Sequence, residues 1–160
     1  MITFRSSAFE TSHLMLVPVM VVAAILVFFT GPSSAKKIIN KDLNGVAIKG
    51  YDPVAYFTVG KAVKGKSQIR YSWKGASWWF SSAANRDKFV ADPERYAPQY
   101  GGFCASAMVT GKFIDINPKV WKIVGGKLYL SYNLKYFEAF KRNLSVNIKR
   151  ADRNWAEISK

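Results

Sequence analysis

The stretch Val120–Tyr132, which reads VWKIVGGKLYLSY, decides the fold of this 160-residue chain. Two apolar-rich runs meet across Gly125 and Gly126, a pair that readily adopts positive φ angles. Two strands joined by such a pair form an antiparallel β-hairpin. We therefore predict a hairpin here, with one strand on each side of the glycines.

A second hairpin is predicted upstream, on both sides of Lys74-Gly75. Apolar residues alternate over residues 69–73 and again over residues 78–80, which is the period of a strand. Neighbouring side chains of a strand point to opposite faces, so either Trp78 or Trp79 should leave the core.

Helices are predicted from their start signals. Asp52 precedes Pro53 and should begin a helix of one or two turns, since Asp is a favoured N-cap and Pro fits the first position. Ser81 or Ser82 should cap a helix through about Ala91, which Asp92-Pro93 ends. The remaining signals predict a helix from Asn133 to near Asn143, an amphipathic helix over residues 144–158, and a short strand or hairpin over residues 43–48.

These elements together predict a small α+β domain. Antiparallel β-hairpins should pack against short helices, with an amphipathic helix at the C-terminus. No linker, repeat or low-complexity tract divides the region, so we expect one domain over residues 36–160, with its core at about 43–140.

The N-terminal region predicts export. Residues 14–29 form a run of sixteen apolar residues, and Ser33 and Ala35 suit the small positions before a cleavage site. We expect a signal peptide over residues 1–35, cut after Ala35, and a periplasmic or secreted protein. The alternative is an uncleaved anchor at residues 14–29 in the inner membrane.

The charge of the chain favours anionic partners. Lys and Arg number 24 against 10 Asp and Glu, a formal net charge of +14. Loss of residues 1–35 removes Arg5 and Glu10, and the remaining 23 basic and 9 acidic residues keep that excess. An anionic membrane or envelope surface is the expected partner, and nucleic acid is not expected for an exported protein. A charge that only aids solubility is the alternative.

Cys104 is the only cysteine, and His13 is the only histidine. The predicted cleavage removes His13, which excludes His-dependent triads and zinc sites built from Cys and His within one mature chain. Cys104 follows Gly101 and Gly102 at a predicted helix start, where unpaired N–H groups favour a thiolate. A buried cysteine acting as a small apolar residue is the alternative.

Several stretches together resemble the YHS-domain proteins, in their exported bacterial branch. They are Gly50–Phe57 (GYDPVAYF), Tyr71–Gly75 (YSWKG), Trp79–Ser82 (WFSS), Tyr100–Ala105 (YGGFCA) and Leu128–Asn133 (LYLSYN). The resemblance spans roughly residues 43–140. Shorter YHS domains handle metals through cysteines that this chain replaces with Ala55, Ser81 and Ser82, so those ligands do not carry over. In the exported branch the position matching Cys104 is selenocysteine in some members, which implies chemical use of that position.

Three functions remain open for a protein that we expect to be a non-enzymatic, stress-related binding module. The first is binding of a soft metal ion such as copper by Cys104 and Met108, four residues apart. Such a site would be completed by Asp52, Asp115, a backbone carbonyl or a second protein molecule joined through Cys104. The second is thiol redox chemistry at Cys104, restored by a separate thiol.

The third function is binding of a non-metal ligand or partner in an aromatic groove. The alternative for most of these aromatic residues is core packing. No haem or nucleotide motif is found in the sequence. The candidate ligand-binding residues are Tyr51, Asp52, Trp79, Tyr100, Gly101 and Gly102.

Overall fold

The computed structural model describes Met1 and residues 38–160. The predicted signal peptide or anchor at 1–35 therefore lies, apart from Met1, outside the described residues. None of the helices within residues 38–160 combines the length and apolar character needed to cross a bilayer.

Six α-helices and two antiparallel β-hairpins form over residues 38–160, which confirms the predicted α+β class. The elements, in chain order, are α1 (Ala55–Thr58), β1 (Lys66–Trp73), β2 (Ala76–Phe80), α2 (Ala83–Ala91), α3 (Pro93–Tyr96), α4 (Ala105–Met108), β3 (Asn117–Val124), β4 (Lys127–Ser131), α5 (Leu134–Arg142) and α6 (Leu144–Ile158).

Both predicted hairpins are confirmed. Val124 pairs with Lys127 across the two glycines, and Trp73 pairs with Ala76 across Lys74-Gly75. Each hairpin has a register shift near its open end, between Lys66 and Arg70 in β1 and between Asn117 and Trp121 in β3. The hairpins form separate two-stranded sheets, so they meet through side chains and intervening segments.

Two helices begin at their predicted caps, whereas α1 begins at Ala55 with Val54 at the N-cap position, later than the predicted cap Asp52. The Ser82 side chain accepts a hydrogen bond from the N–H of Asn85, and the Asn133 side chain accepts one from Tyr136. Asp92 ends α2 and also caps α3, an element that the sequence did not predict. The same Asp-Pro pair therefore stops one helix and begins the next.

The strand or hairpin predicted over residues 43–48 is reduced to a turn. One antiparallel bridge joins Lys41 to Ala47, and one parallel bridge joins Val46 to Ser77 of β2. Asp42 accepts N–H bonds from Asn44 and Val46, so the turn is held by a side chain and no ladder extends from it.

The buried side chains form two clusters, with β4 between them. Leu128 and Leu130 belong to the first cluster, which also contains Trp78, Phe89 and Cys104. Because successive strand residues face opposite ways, the side chain of Tyr129, between those two leucines, enters the second cluster. That second cluster consists of Tyr100, Ala105, Met108, Val120, Tyr129, Phe137, Phe140 and Ala151.

The Trp78–Trp79 prediction is confirmed. Trp78 is fully buried beside Phe89 of α2, with ring centroids 5.3 Å apart, whereas Trp79 is half-buried on the other face of β2. The ring of Trp79 lies over the backbone of Gly50, where an added Cβ would approach it to 2.8 Å.

Tyr100, Gly101 and Gly102 all adopt positive φ angles and form a tight 3-10 turn before Cys104. The N–H of Asn40 donates to the carbonyl of Gly101 at 2.9 Å, and its side chain donates to the carbonyl of Gly102 at 3.1 Å. A Cβ on Gly101 would lie 2.0 Å from the carbonyl oxygen of Ile38. The turn therefore requires glycine at 101 for both its conformation and its close approach.

Replacement of Gly101 by alanine should destabilise the protein strongly. We expect Gly101→Ala to lower the free energy of unfolding by about 3 kcal/mol or more, since the strain of a positive φ adds to a backbone clash. Gly125→Ala is the matched control, because its φ of +56° is similar and nothing lies within 4 Å of the added Cβ. Gly125→Ala should lower the free energy of unfolding by only about 1 to 2 kcal/mol. Equal losses in urea titrations would contradict the close packing of the 3-10 turn.

Candidate functional site

Cys104 is the residue immediately before α4. Its N–H donates to the carbonyl of Ile114 at 2.9 Å, and its own carbonyl accepts the N–H of Met108 at 3.0 Å. The residue is 2% exposed and its thiol is not in a disulfide. Both backbone bonds fix the direction in which the side chain leaves the helix start.

The sulfur of Cys104 is held at the end of β4. The N–H of Tyr132 donates to Sγ at 3.3 Å, and Oγ of Ser131 lies 3.4 Å from Sγ. Ser131 is itself buried, and its hydroxyl lies 2.9 Å from the hydroxyl of Ser106. Sγ thus ends a short chain of hydrogen-bonding groups that joins α4 to β4.

A pocket of about 580 Å³ leads to Cys104. This volume is within the usual range of small-molecule sites. Cys104 is one of the small residues of the lining, which also includes larger side chains. The lining residues are Cys104, Ser106, Ala107, Thr110, Lys112, Ile114, Tyr132 and Tyr136.

Met108 is packed in the core and does not line this pocket. It is fully buried in the second cluster, beside Tyr129 and Phe137. Within residues 38–160 no group of three His, Cys, Asp or Glu side chains is placed to hold a metal ion. The pocket therefore offers one soft donor, the sulfur of Cys104.

Asp52 is a fully buried carboxylate whose two oxygens are both occupied by protein donors. Oδ1 accepts the N–H groups of Val54 at 2.9 Å and Ala55 at 3.2 Å. Oδ2 accepts the N–H of Ser81 at 2.8 Å, the hydroxyl of Ser81 at 2.6 Å and the amide of Asn85 at 2.7 Å. A carboxylate has about four lone-pair sites, so these five bonds leave none for a ligand.

Tyr51 and Trp79, two candidate ligand-binding residues, lie beside the loop that precedes β1. Nζ of Lys64 lies 5.0 Å from the centroid of the Tyr51 ring, a cation–π contact. The indole N–H of Trp79 donates to Oγ of Ser77 at 3.2 Å. Neither residue lines the Cys104 pocket.

Tyr100 and Gly101 line a separate cavity of about 220 Å³, beside Trp155 of α6. The hydroxyl of Tyr100 donates to Oδ1 of Asp152 at 2.9 Å. Burial, and then the hydrogen bond and charge of Asp152, raise the pKa of Tyr100 well above its usual range. This tyrosine is therefore neutral and joins the 3-10 turn to α6.

Asp115 forms an ion pair and does not line the Cys104 pocket. Its Oδ2 lies 2.7 Å from Nζ of Lys49, and its Oδ1 accepts bonds from Asn40 and from the N–H of Ile116. Partial burial acts to raise the pKa of this carboxyl, but the bonds from Lys49, Ile116 and Asn40 outweigh it. The pKa of Asp115 is therefore lowered.

The candidate residues thus fall at separate places. Of the residues predicted from the sequence, only Cys104 lines the 580 Å³ pocket. The other candidates make the structural contacts described above. Sequence reasoning did not identify the pocket residues Ser106, Lys112, Tyr132 and Tyr136, and it did not identify Ser131 as a partner of the sulfur. Tyr132 and Tyr136 lie on either side of the Asn133 cap. The spacing of four residues between these two tyrosines was the one sequence signal that could have pointed to the pocket.

Comparison with known families supports part of the resemblance. The family model of the YHS domain matches residues 54–100 of this chain. The match ends before Cys104 and begins after Asp52. No curated protein and no solved structure was found to match the chain.

The Asp52 carboxylate should be essential for stability. We expect Asp52→Asn to lower the free energy of unfolding by about 2 to 4 kcal/mol, because an amide nitrogen would face N–H or O–H donors at one of the two oxygen positions. Asp42→Asn is the control, since Asp42 accepts both of its N–H bonds through Oδ1 alone and an amide oxygen can replace it. Chemical denaturation of both variants measures the difference, and similar losses would contradict the role given to Asp52.

The Lys49–Asp115 pair should contribute stability in a pH-dependent way. Because the folded-state pKa is lowered, the contribution is fully present above the unfolded value of about 3.9 and is lost as pH falls through the folded pKa. Both side chains are about half exposed, so Asp115→Asn should cost about 1 kcal/mol or less near pH 6. The difference in melting temperature between wild type and Asp115→Asn should vanish near pH 2, and a difference that is constant with pH would contradict this assignment.

Proposed function

We propose that this protein is an exported binding module whose working group is the thiol of Cys104. The observation that carries the proposal is the pocket of about 580 Å³ that Cys104 helps to line. A cysteine used only as a small apolar residue needs no adjoining pocket. The YHS domain over residues 54–100 agrees with a binding role.

A soft metal ion such as Cu(I) is the first ligand considered. A thiol sulfur suits such an ion, but one sulfur does not complete its coordination. Met108 is packed in the second cluster, and Asp52 is saturated by protein donors. The remaining ligands would therefore come from a backbone carbonyl or from a second molecule that brings its own Cys104.

Thiol redox chemistry is the second candidate, and the position of the sulfur supports it. The N–H of Tyr132 and the hydroxyl of Ser131 lie at hydrogen-bond distance from Sγ and hold it beside the pocket. The sulfur would attack one sulfur of a disulfide, form a mixed disulfide and release the other as a thiol. A separate thiol would then restore Cys104, since the chain has no second cysteine.

The proposed location is the periplasm or the outside of the cell. The apolar run at residues 14–29 and the small residues before Lys36 support a signal peptide, with the uncleaved inner-membrane anchor as the alternative. The net charge of +14 supports contact with an anionic membrane or envelope surface. We also propose that this protein belongs to the exported bacterial branch of the YHS-domain proteins.

The rate of thiol labelling in the folded protein tests the role of Cys104. We expect iodoacetamide to label the folded chain at a measurable rate, because Cys104 lines the pocket. Protection by one equivalent of Cu(I) would support the soft-metal function, and labelling that copper leaves unchanged would support redox chemistry. Labelling that appears only on unfolding would contradict both.

Two variants show whether the reagent enters through the pocket. Tyr136→Ala should speed labelling, because it removes a large side chain that lines the pocket. This side chain is exposed, so its loss should not disturb the core. Leu134→Ala is the control, since this residue is exposed on the same helix but does not line the pocket. Equal rates in the two variants would show that the reagent reaches the sulfur by another path.

A further inference from the structure

Three large apolar side chains line the pocket and remain exposed. Ile114, Tyr132 and Tyr136 are 41%, 52% and 55% exposed. Single exposed apolar residues are common, but several around one concave pocket indicate a binding surface. The Asn133 cap holds Tyr132 and Tyr136 at the start of α5, so the position of both backbones is fixed.

The pocket has one charged lining residue, Lys112, and no carboxylate among its lining residues. The N–H of Lys112 donates to the carbonyl of Ala107 at 3.2 Å, which holds its backbone against the end of α4. No carboxylate within residues 38–160 lies at ion-pair distance from its ammonium group. The lysine is therefore available to pair with an anionic group of a ligand.

Three of the lining residues are small. Cys104, Ser106 and Ala107 leave room that a slender apolar chain can fill, and the larger lining residues include the apolar side chains of Ile114, Tyr132 and Tyr136. The lining thus combines apolar surface with a single cation. Such a combination fits a ligand that is apolar along most of its length and anionic at one end.

We propose that this pocket binds an anionic amphiphile, with its carboxylate or related anionic group on Lys112 and its apolar chain between Tyr132, Tyr136 and Ile114. The proposal uses the same pocket as the proposed function and names a ligand class for it. Binding itself needs no reaction of Cys104. The two proposals can therefore fail separately.

Three probes of equal chain length and different head group test this ligand class on the full chain. They are octanoate, octan-1-ol and octylammonium, each titrated by isothermal calorimetry below its aggregation concentration. We expect octanoate to bind most tightly and octylammonium least tightly, because the three probes share an eight-carbon chain and carry head groups of different charge. Equal affinity of octanoate and octylammonium would overturn the proposal.

Lys112→Glu places the opposite charge in the pocket and should weaken octanoate binding by about fivefold or more, while octanol binding stays nearly unchanged. Lys122→Glu is the matched control, because it makes the same change in net charge at an exposed residue of β3 outside the pocket. An equal loss in both variants would assign the effect to overall charge and overturn the role of Lys112.

Tyr136→Ala should weaken octanoate and octanol alike, by about fivefold or more, since it removes an apolar wall and leaves the cation. Its melting temperature should stay close to that of the wild type, because the side chain is exposed. Unchanged affinity for both probes would place the ligand elsewhere and overturn the proposal.

Octanoate titration and thiol labelling of the wild-type protein together separate the two proposals. If octanoate binds while the wild-type thiol stays unreactive, the ligand class holds and the thiol function fails. If the thiol reacts but octanoate does not bind, the ligand class is wrong and the thiol function stands.

Discussion

The buried carboxylate of Asp52 is the constraint on which the first half of the fold depends. A charge removed from water is costly unless donors replace the water, and here five protein bonds do so. They come from the start of α1, the residue after β2 and the first turn of α2. These three segments must therefore come together for the carboxylate to be buried, and α2 then places Phe89 against the first hairpin.

The second half depends on β4, which is buried on both faces. Its leucines contribute to the first cluster and Tyr129 to the second, so the strand is held from both sides. Its last residue, Ser131, and the following Tyr132 reach the sulfur of Cys104. The position of the thiol is thus set by a rigid strand end and by the bonds of Cys104 to Ile114 and Met108. A pocket beside such a fixed group can recognise a ligand with little rearrangement.

The hairpins and most helices were predictable because their signals are local. Gly125-Gly126 permits its turn, and Ser82 and Asn133 cap helices through residues only three positions away. The sequence predicted a strand or hairpin over residues 43–48, where the structure has a turn. The Asp42 side chain accepts N–H bonds there that a β-ladder would otherwise use. The site was not predictable, since Cys104 meets Tyr132 28 positions later and Asp52 meets Asn85 33 positions later. The i, i+4 spacing placed Met108 near Cys104 but could not show that its side chain packs in the second cluster.

The central claim is that the folded chain presents Cys104 to a ligand through its pocket. Amide NMR spectra of the full chain before and after carbamidomethylation of the folded protein test it most directly. The pocket predicts shifts confined to its lining, at Ser106, Thr110, Tyr132 and Tyr136, with the amides of Ser81 and Asn85 at the Asp52 carboxylate unchanged. Shifts that spread to Ser81 and Asn85 would show that the thiol is reached only by disrupting the core, and would contradict the claim.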